Sequence, residues 1–168
     1  IRDTQISRVS GNGIYVAVAS GSIDRVSLTR IGSYGIYVST SSAMAVSDAV
    51  LSYVQVDGIT GAASGGQTTR LAVTNSTLSN IVGYGIVAAD SRGVDIVHAT
   101  GNTLSFVGNS GLTAQGANAK LYATRNSVVD AQYGLLQNVG GTLVSFGDNS
   151  VTGNVAPTGG TISHSAWQ

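Results

Sequence analysis

The side chains in this sequence best suited to chemistry recur at a common interval. Arg8, Arg30, Tyr53, Asn80 and Phe106 are separated by 22, 23, 27 and 26 residues, and Asn12, Tyr34, Asp57, Tyr84, Ser110 and Tyr133 by 22, 23, 27, 26 and 23. If each interval is one turn of a stacked chain, each set becomes a vertical column on the surface. Aromatic rings beside a guanidinium or a carboxylate are what a sugar-binding groove uses, rings for the apolar sugar faces and charged groups for hydroxyls and carboxylates. Arg30, Tyr53, Asp57, Tyr34, Tyr84 and Phe106 are therefore the candidate binding residues. Arg8 above Arg30 sets like charges on neighbouring strands, which is unfavourable unless an anion or an aromatic face compensates. The bland alternative is an aromatic stack that only stiffens the solenoid. Asp57 with Arg30 is the local pair that a polysaccharide-cleaving site would use.

Positioning such columns requires a regular repeat, and the apolar residues supply one. A glycine precedes an aliphatic residue at Gly13-Ile14, Gly35-Ile36, Gly58-Ile59, Gly85-Ile86, Gly111-Leu112 and Gly134-Leu135. Ile6, Leu28, Leu51, Leu78 and Leu104 stand seven positions before the first five of these glycines, and Val9, Ile31, Val54, Ile81 and Val107 stand four before. The sixth copy, with Val128 and Ala131, is one residue shorter. Alternation within Gly35-Ile36-Tyr37-Val38 places Ile36 and Val38 inward and Tyr37 outward.

A second strand precedes an asparagine at each later corner: Leu71 and Val73 before Asn75, Val97 and Ala99 before Asn102, Leu121 and Ala123 before Asn126, Val144 and Phe146 before Asn149. A third begins just after it, at Leu78, Leu104, Val128 or Val151. Asparagine tolerates the left-handed backbone of a sharp corner, and its amide can bond to its counterpart one coil away. Asn75, Asn102, Asn126 and Asn149 are thus expected to form an internal corner ladder. Ten positions before the glycines, Asp3, Arg25 and Asp48 should make an acid-base-acid ladder, with Arg125 and Asp148 paired by the same logic.

Composition agrees with strands and turns. The 168 residues include 23 glycines, no cysteine and only 10% charged residues, with a net charge of zero. That balance argues against a nucleic-acid partner, which needs a cationic footprint. It argues equally against an anionic membrane surface, and no run is long enough to span a bilayer. Disulfides and thiolate metal sites are excluded. His98 and His164 have no acidic neighbour at metal-ligand or catalytic spacing, and the glycine-rich stretch 61–66 lacks the lysine of a phosphate loop. No metal site, cofactor or catalytic set is indicated.

The repeated G-I/L-x-V/A motif, as in Gly85-Ile86-Val87-Ala88, and the N-S/T corner, as in Asn126-Ser127-Val128, resemble the right-handed parallel β-helix, or pectin-lyase-like, superfamily. The resemblance covers roughly residues 4 to 153 and is closest to small exported bacterial β-helix proteins. It implies an all-β solenoid of six to seven coils of 22–27 residues, three short strands per coil, in one domain. Residues from about 154 to 168 are expected to leave the solenoid as a tail, with Trp167 laid over the last coil as a cap. The first unit starts without a capping segment, so earlier coils are expected to be missing. The resemblance also implies an extracellular or periplasmic protein. The clustered calcium ligands of pectate lyases are lacking, as are the paired aspartates, Gly-His-Gly and Arg-x-Lys of polygalacturonases. The sequence therefore favours a non-catalytic scaffold that binds carbohydrate or a cell-surface or protein partner. The alternatives are a polysaccharide lyase or hydrolase, and a fragment of an adhesin or tailspike.

Overall fold

A computed structural model describes residues 1–89 and 92–165. The described residues wind into a parallel solenoid of 18 strands and include no helix. Strands stack only on their counterparts one coil away, so three parallel walls run the length of the rod. The first wall holds Arg2–Val9, Val50–Val54, Thr77–Ile81 and Ser150–Thr152, together with the matching parts of the longer strands Ser20–Ile31, Thr103–Gln115 and Ser127–Asn138. The second runs from Ile14–Val16 through Ile36–Ser39, Ile59–Ala62 and Ile86–Ala89 to Ala156–Gly159. The third runs from the start of Ser20–Ile31 through Ala43–Ser47, Thr68–Thr74, Val94–Thr100, Ala119–Thr124 and Thr142–Ser145 to Ile162–His164.

The core is the stack of expected apolar columns. Ile36 pairs in register with Ile59, Ile59 with Ile86 and Ile86 with Leu112, and all four are fully buried. Leu28, Leu51, Leu78 and Leu104 form a second fully buried column. Each such side chain contributes roughly 1.5–3 kcal/mol through the water it leaves. The glycines before the aliphatic column are set by crowding. A Cβ at Gly58 would lie 2.5 Å from the Gly85 carbonyl oxygen and 2.5 Å from Leu78 Cδ2. Alanine there would force neighbouring coils apart.

Unequal coil lengths are absorbed at corners. The missing residue of the sixth copy appears as a register shift between Val107 and Ser110, where pairing resumes with Tyr133 and continues through Leu112 and Leu135. An extra residue near Gly147, whose φ is 83°, moves another strand by one position. Leu143 and Ser145 consequently point inward, paired with Leu121 and Ala123, while Val144 faces outward opposite Tyr122. The expected inward pair Val144 and Phe146 is thus corrected by one residue. Strand pairing also runs past the expected end near 153: Tyr133 pairs with Ala156, Leu135 with Thr158, and Leu143 with Ile162. Trp167 lies outside the described residues.

The corner ladder exists, with one member replaced. Asn126 Nδ2 donates to the Ala99 carbonyl and to Asn149 Oδ1, both at 2.9 Å, while Asn126 Oδ1 accepts from Asn102 N at 3.0 Å and Asn102 Nδ2 at 2.9 Å. Below Asn102 the position belongs to Ser76, whose N–H donates to Asn102 Oδ1 at 2.9 Å and whose Oγ accepts from Ala49 N at 3.2 Å. Asn75 sits one residue earlier, exposed, with φ at 49°. It shares that left-handed position with Asp3, Arg25 and Asp48. In this second column Arg25 Nε meets Asp3 Oδ1 at 2.7 Å, and the bond holds the Asp3 carboxyl below its ordinary range. Arg25 also reaches Asp24, at 2.6 Å, and among the described residues no ion pair joins it to Asp48. Arg125 contacts Asp148 through its backbone N–H, at 3.0 Å.

Asn126→Ala strands the Ala99 carbonyl and the Asn102 N–H of the neighbouring coil and should cost about 2–3 kcal/mol in urea unfolding. Asn75→Gly should change stability by no more than about 0.5 kcal/mol. The opposite ranking would restore Asn75 to the ladder.

Candidate binding groove

The first and second walls meet at a corner where one residue per coil adopts the left-handed conformation. Arg8, Arg30, Tyr53, Asn80, Phe106 and Asp130 have φ between 52° and 57° in this column, and Gly153 follows at 69°. The side chains point outward because of this local backbone, where strand alternation alone had been the expected reason. The residues that follow, such as Ile81 after Asn80 and Val107 after Phe106, return at once to the core. A left-handed conformation disfavours a Tyr or Phe by roughly 1–2 kcal/mol. The pairing of both flanking walls with neighbouring coils holds it in place.

Tyr53 and Phe106 are 56% and 59% exposed, although both rings are large and apolar. They stand two coils apart with Asn80 between them, and they border an open groove of about 570 Å³. Gln55, Gln132 and Asp130 add polar groups to its lining. Gly108 in the groove floor is fixed by the close approach of the neighbouring coil, since a Cβ there would collide with the Val82 carbonyl oxygen. Beyond Tyr53 the groove continues into a smaller hollow lined by Arg30, Gly32 and Gln55. Of the candidate residues, the structure therefore brings together Arg30, Tyr53 and Phe106.

The other three belong elsewhere. Tyr34 and Asp57 precede the second wall and are half-buried, as is Tyr84. The Tyr34 ring packs edge-on against Tyr37, centroids 4.8 Å apart, and Tyr37 stacks on Tyr15 at 5.7 Å. Burial within this cluster pushes the Tyr37 hydroxyl above its usual pKa. Asp57 Oδ1 accepts the Tyr84 backbone N–H at 2.9 Å, just as Asn12 Oδ1 accepts the Tyr34 N–H at 3.4 Å. Asn12 and Asp57 in this column thus tie their coil to the next, and among the described residues no ion pair joins Asp57 to Arg30.

Gln55, Gln132 and Asp130 were not singled out from sequence. Counting back from the glycines misses Asp130 because its coil is one residue short. The glutamines stand two residues after Tyr53 and Asp130, in a column otherwise occupied by Ser10, Gly32, Val82 and Gly108, which gave no chemical signal. His98, exposed on the third wall, stacks on Tyr122 at 4.9 Å. The outer face of the first wall carries serines and threonines in register, including Thr29, Ser52, Ser79 and Ser105. Ser52 Oγ donates to Thr29 Oγ1 at 3.0 Å there.

A family model described as right handed beta helix region matches residues 1–156. No curated protein and no solved structure matches the chain.

Burial raises the Asp57 carboxyl above its usual range, and the hydrogen bond from Tyr84 N–H opposes the shift. A folded state that holds this proton more tightly than the unfolded chain loses stability as pH rises from the ordinary carboxylate range through the raised folded value. Asp57→Asn keeps the Oδ1 acceptor and removes the charge, as at Asn12. It should raise Tm at pH 7, and calorimetry across pH should show the gain vanish below about pH 4.

Proposed function

The chain belongs to the right-handed β-helix family, and from that premise we propose that it is a non-catalytic, exported scaffold whose wall binds carbohydrate. The observation that carries this reading is the pair of half-exposed rings, Tyr53 and Phe106, fixed outward across Asn80 in a groove that also bears Gln55 and Gln132. Rings set on a rigid backbone lose little conformational freedom when a flat apolar sugar face settles on them. The carboxamides, each donor and acceptor at once, suit hydroxyl groups. Asp130 is the one carboxylate lining the groove among the described residues, whereas hydrolysis of a glycosidic bond generally uses two. Asp57 is already engaged by the Tyr84 amide. These features favour holding a glycan over cutting it. A polysaccharide ligand in turn fits a location outside the cell or in the periplasm.

Native electrophoresis through gels cast with neutral and acidic polysaccharides tests the proposal. Retardation without a cleared zone is expected in at least one gel, and Tyr53→Ala or Phe106→Ala should restore free migration. Clearing of the polysaccharide would make the protein an enzyme. Free migration of the unaltered chain in every gel would overturn carbohydrate binding.

A further inference from the structure

The geometry points to a neutral, extended β-1,4-linked glycan, lying along the solenoid axis, as the ligand of this groove; the inference rests on the carbohydrate reading above. Coils in register place successive members of the left-handed column one strand spacing apart, so Tyr53 and Phe106 are separated by two spacings, roughly 9.5 Å. No ring stands at the coil between them, where the residue is Asn80. An extended β-1,4-linked chain turns each sugar over relative to the last, and its two-sugar repeat is close to this length. Sugars one and three would then show the same face to Tyr53 and Phe106. The inverted sugar between them would offer its hydroxyls to Asn80. An α-1,4-linked chain curls and does not keep two alternate rings in line with a straight wall.

The groove's charge selects among extended chains. Gln55 and Gln132 supply paired donors and acceptors with no net charge, and Asp130 sits next along the column after Phe106. Asp130 is the one formally charged residue lining the main groove among the described residues, Arg30 standing in the smaller hollow beyond Tyr53, so a carboxylate on every sugar would meet a like charge where the rings hold the chain, which opposes a uronate chain. Arg30, one coil beyond Tyr53 on the other side, adds hydrogen-bond donors for one more sugar. The column from Arg30 to Asp130 therefore spans five coils, with ring platforms at the second and fourth.

Titration calorimetry of the whole chain with cello-oligosaccharides of two to six sugars reads this directly. A disaccharide covers one ring and a trisaccharide reaches both, so affinity should rise about tenfold between those lengths and more gently beyond. Tyr53→Ala should abolish the step, while Tyr53→Phe, which keeps the ring, should preserve it. Malto-oligosaccharides and α-1,4-galacturonate oligomers should bind more weakly at every length. A smooth rise with no step, or tighter binding of either α-linked series, would overturn the axial neutral glycan and leave carbohydrate binding standing. Absence of binding in all three series, with the unaltered chain folded, would overturn both.

Discussion

Parallel hydrogen bonding between coils holds each residue beside its counterpart roughly one repeat away in sequence, so neighbours in space are columns in the repeat. Because side chains alternate strictly along a strand, a slip of one residue would turn the core outward. Every wall is therefore intolerant of length changes, and the chain confines them to corners and turns. The 27-residue interval coincides with the glycine-rich turn after Ile59–Ala62, the short coil with the shift after Val107, and the extra residue with Gly147. Between those points the aliphatic columns are continuous and sealed from solvent.

The corners are where this order becomes a surface. At one, amides run from the buried Asn102 and Asn126 to the half-buried Asn149 and satisfy backbone groups that the turn removes from the walls. At the other, a left-handed residue in each coil throws its side chain outward between two core positions. The conformational strain there belongs to the fold, and the identities of the residues are left free to vary: two arginines, a tyrosine, an asparagine, a phenylalanine and an aspartate follow one another. A rigid rod thus presents a row of unrelated side chains at fixed spacing. Specificity can be written along such a row without disturbing the core.

The fold was legible because aliphatic periodicity survives changes in loop length: Leu28, Leu51, Leu78 and Leu104 align however the turns between them differ. The ladder was legible at Asn102, Asn126 and Asn149. It was misread at Asn75 because Ser76, a less conspicuous residue, holds the position two before the aliphatic. Columns of chemical residues were visible, but their depth was not. Tyr34 and Tyr84 each stand just before a glycine bend, so the sequence leaves open whether they face out, and only backbone geometry separates a left-handed corner from the approach to a buried wall. Asp57 resembled half of a reactive pair. Its engagement with the Tyr84 amide depends on the distance between coils, which spacing in sequence does not encode. The polar groove residues were hidden among glycine and valine in their column, where nothing in a single repeat distinguishes them.

Backbone amide NMR with cellohexaose added stepwise would locate the ligand most directly. Shift changes are expected to concentrate at the left-handed corner, around Tyr53, Asn80, Phe106 and Asp130, fading toward Arg30. Changes centred on Tyr34, Asp57 and Tyr84, or on the serine and threonine face of the first wall, would contradict it by placing the binding surface elsewhere on the rod.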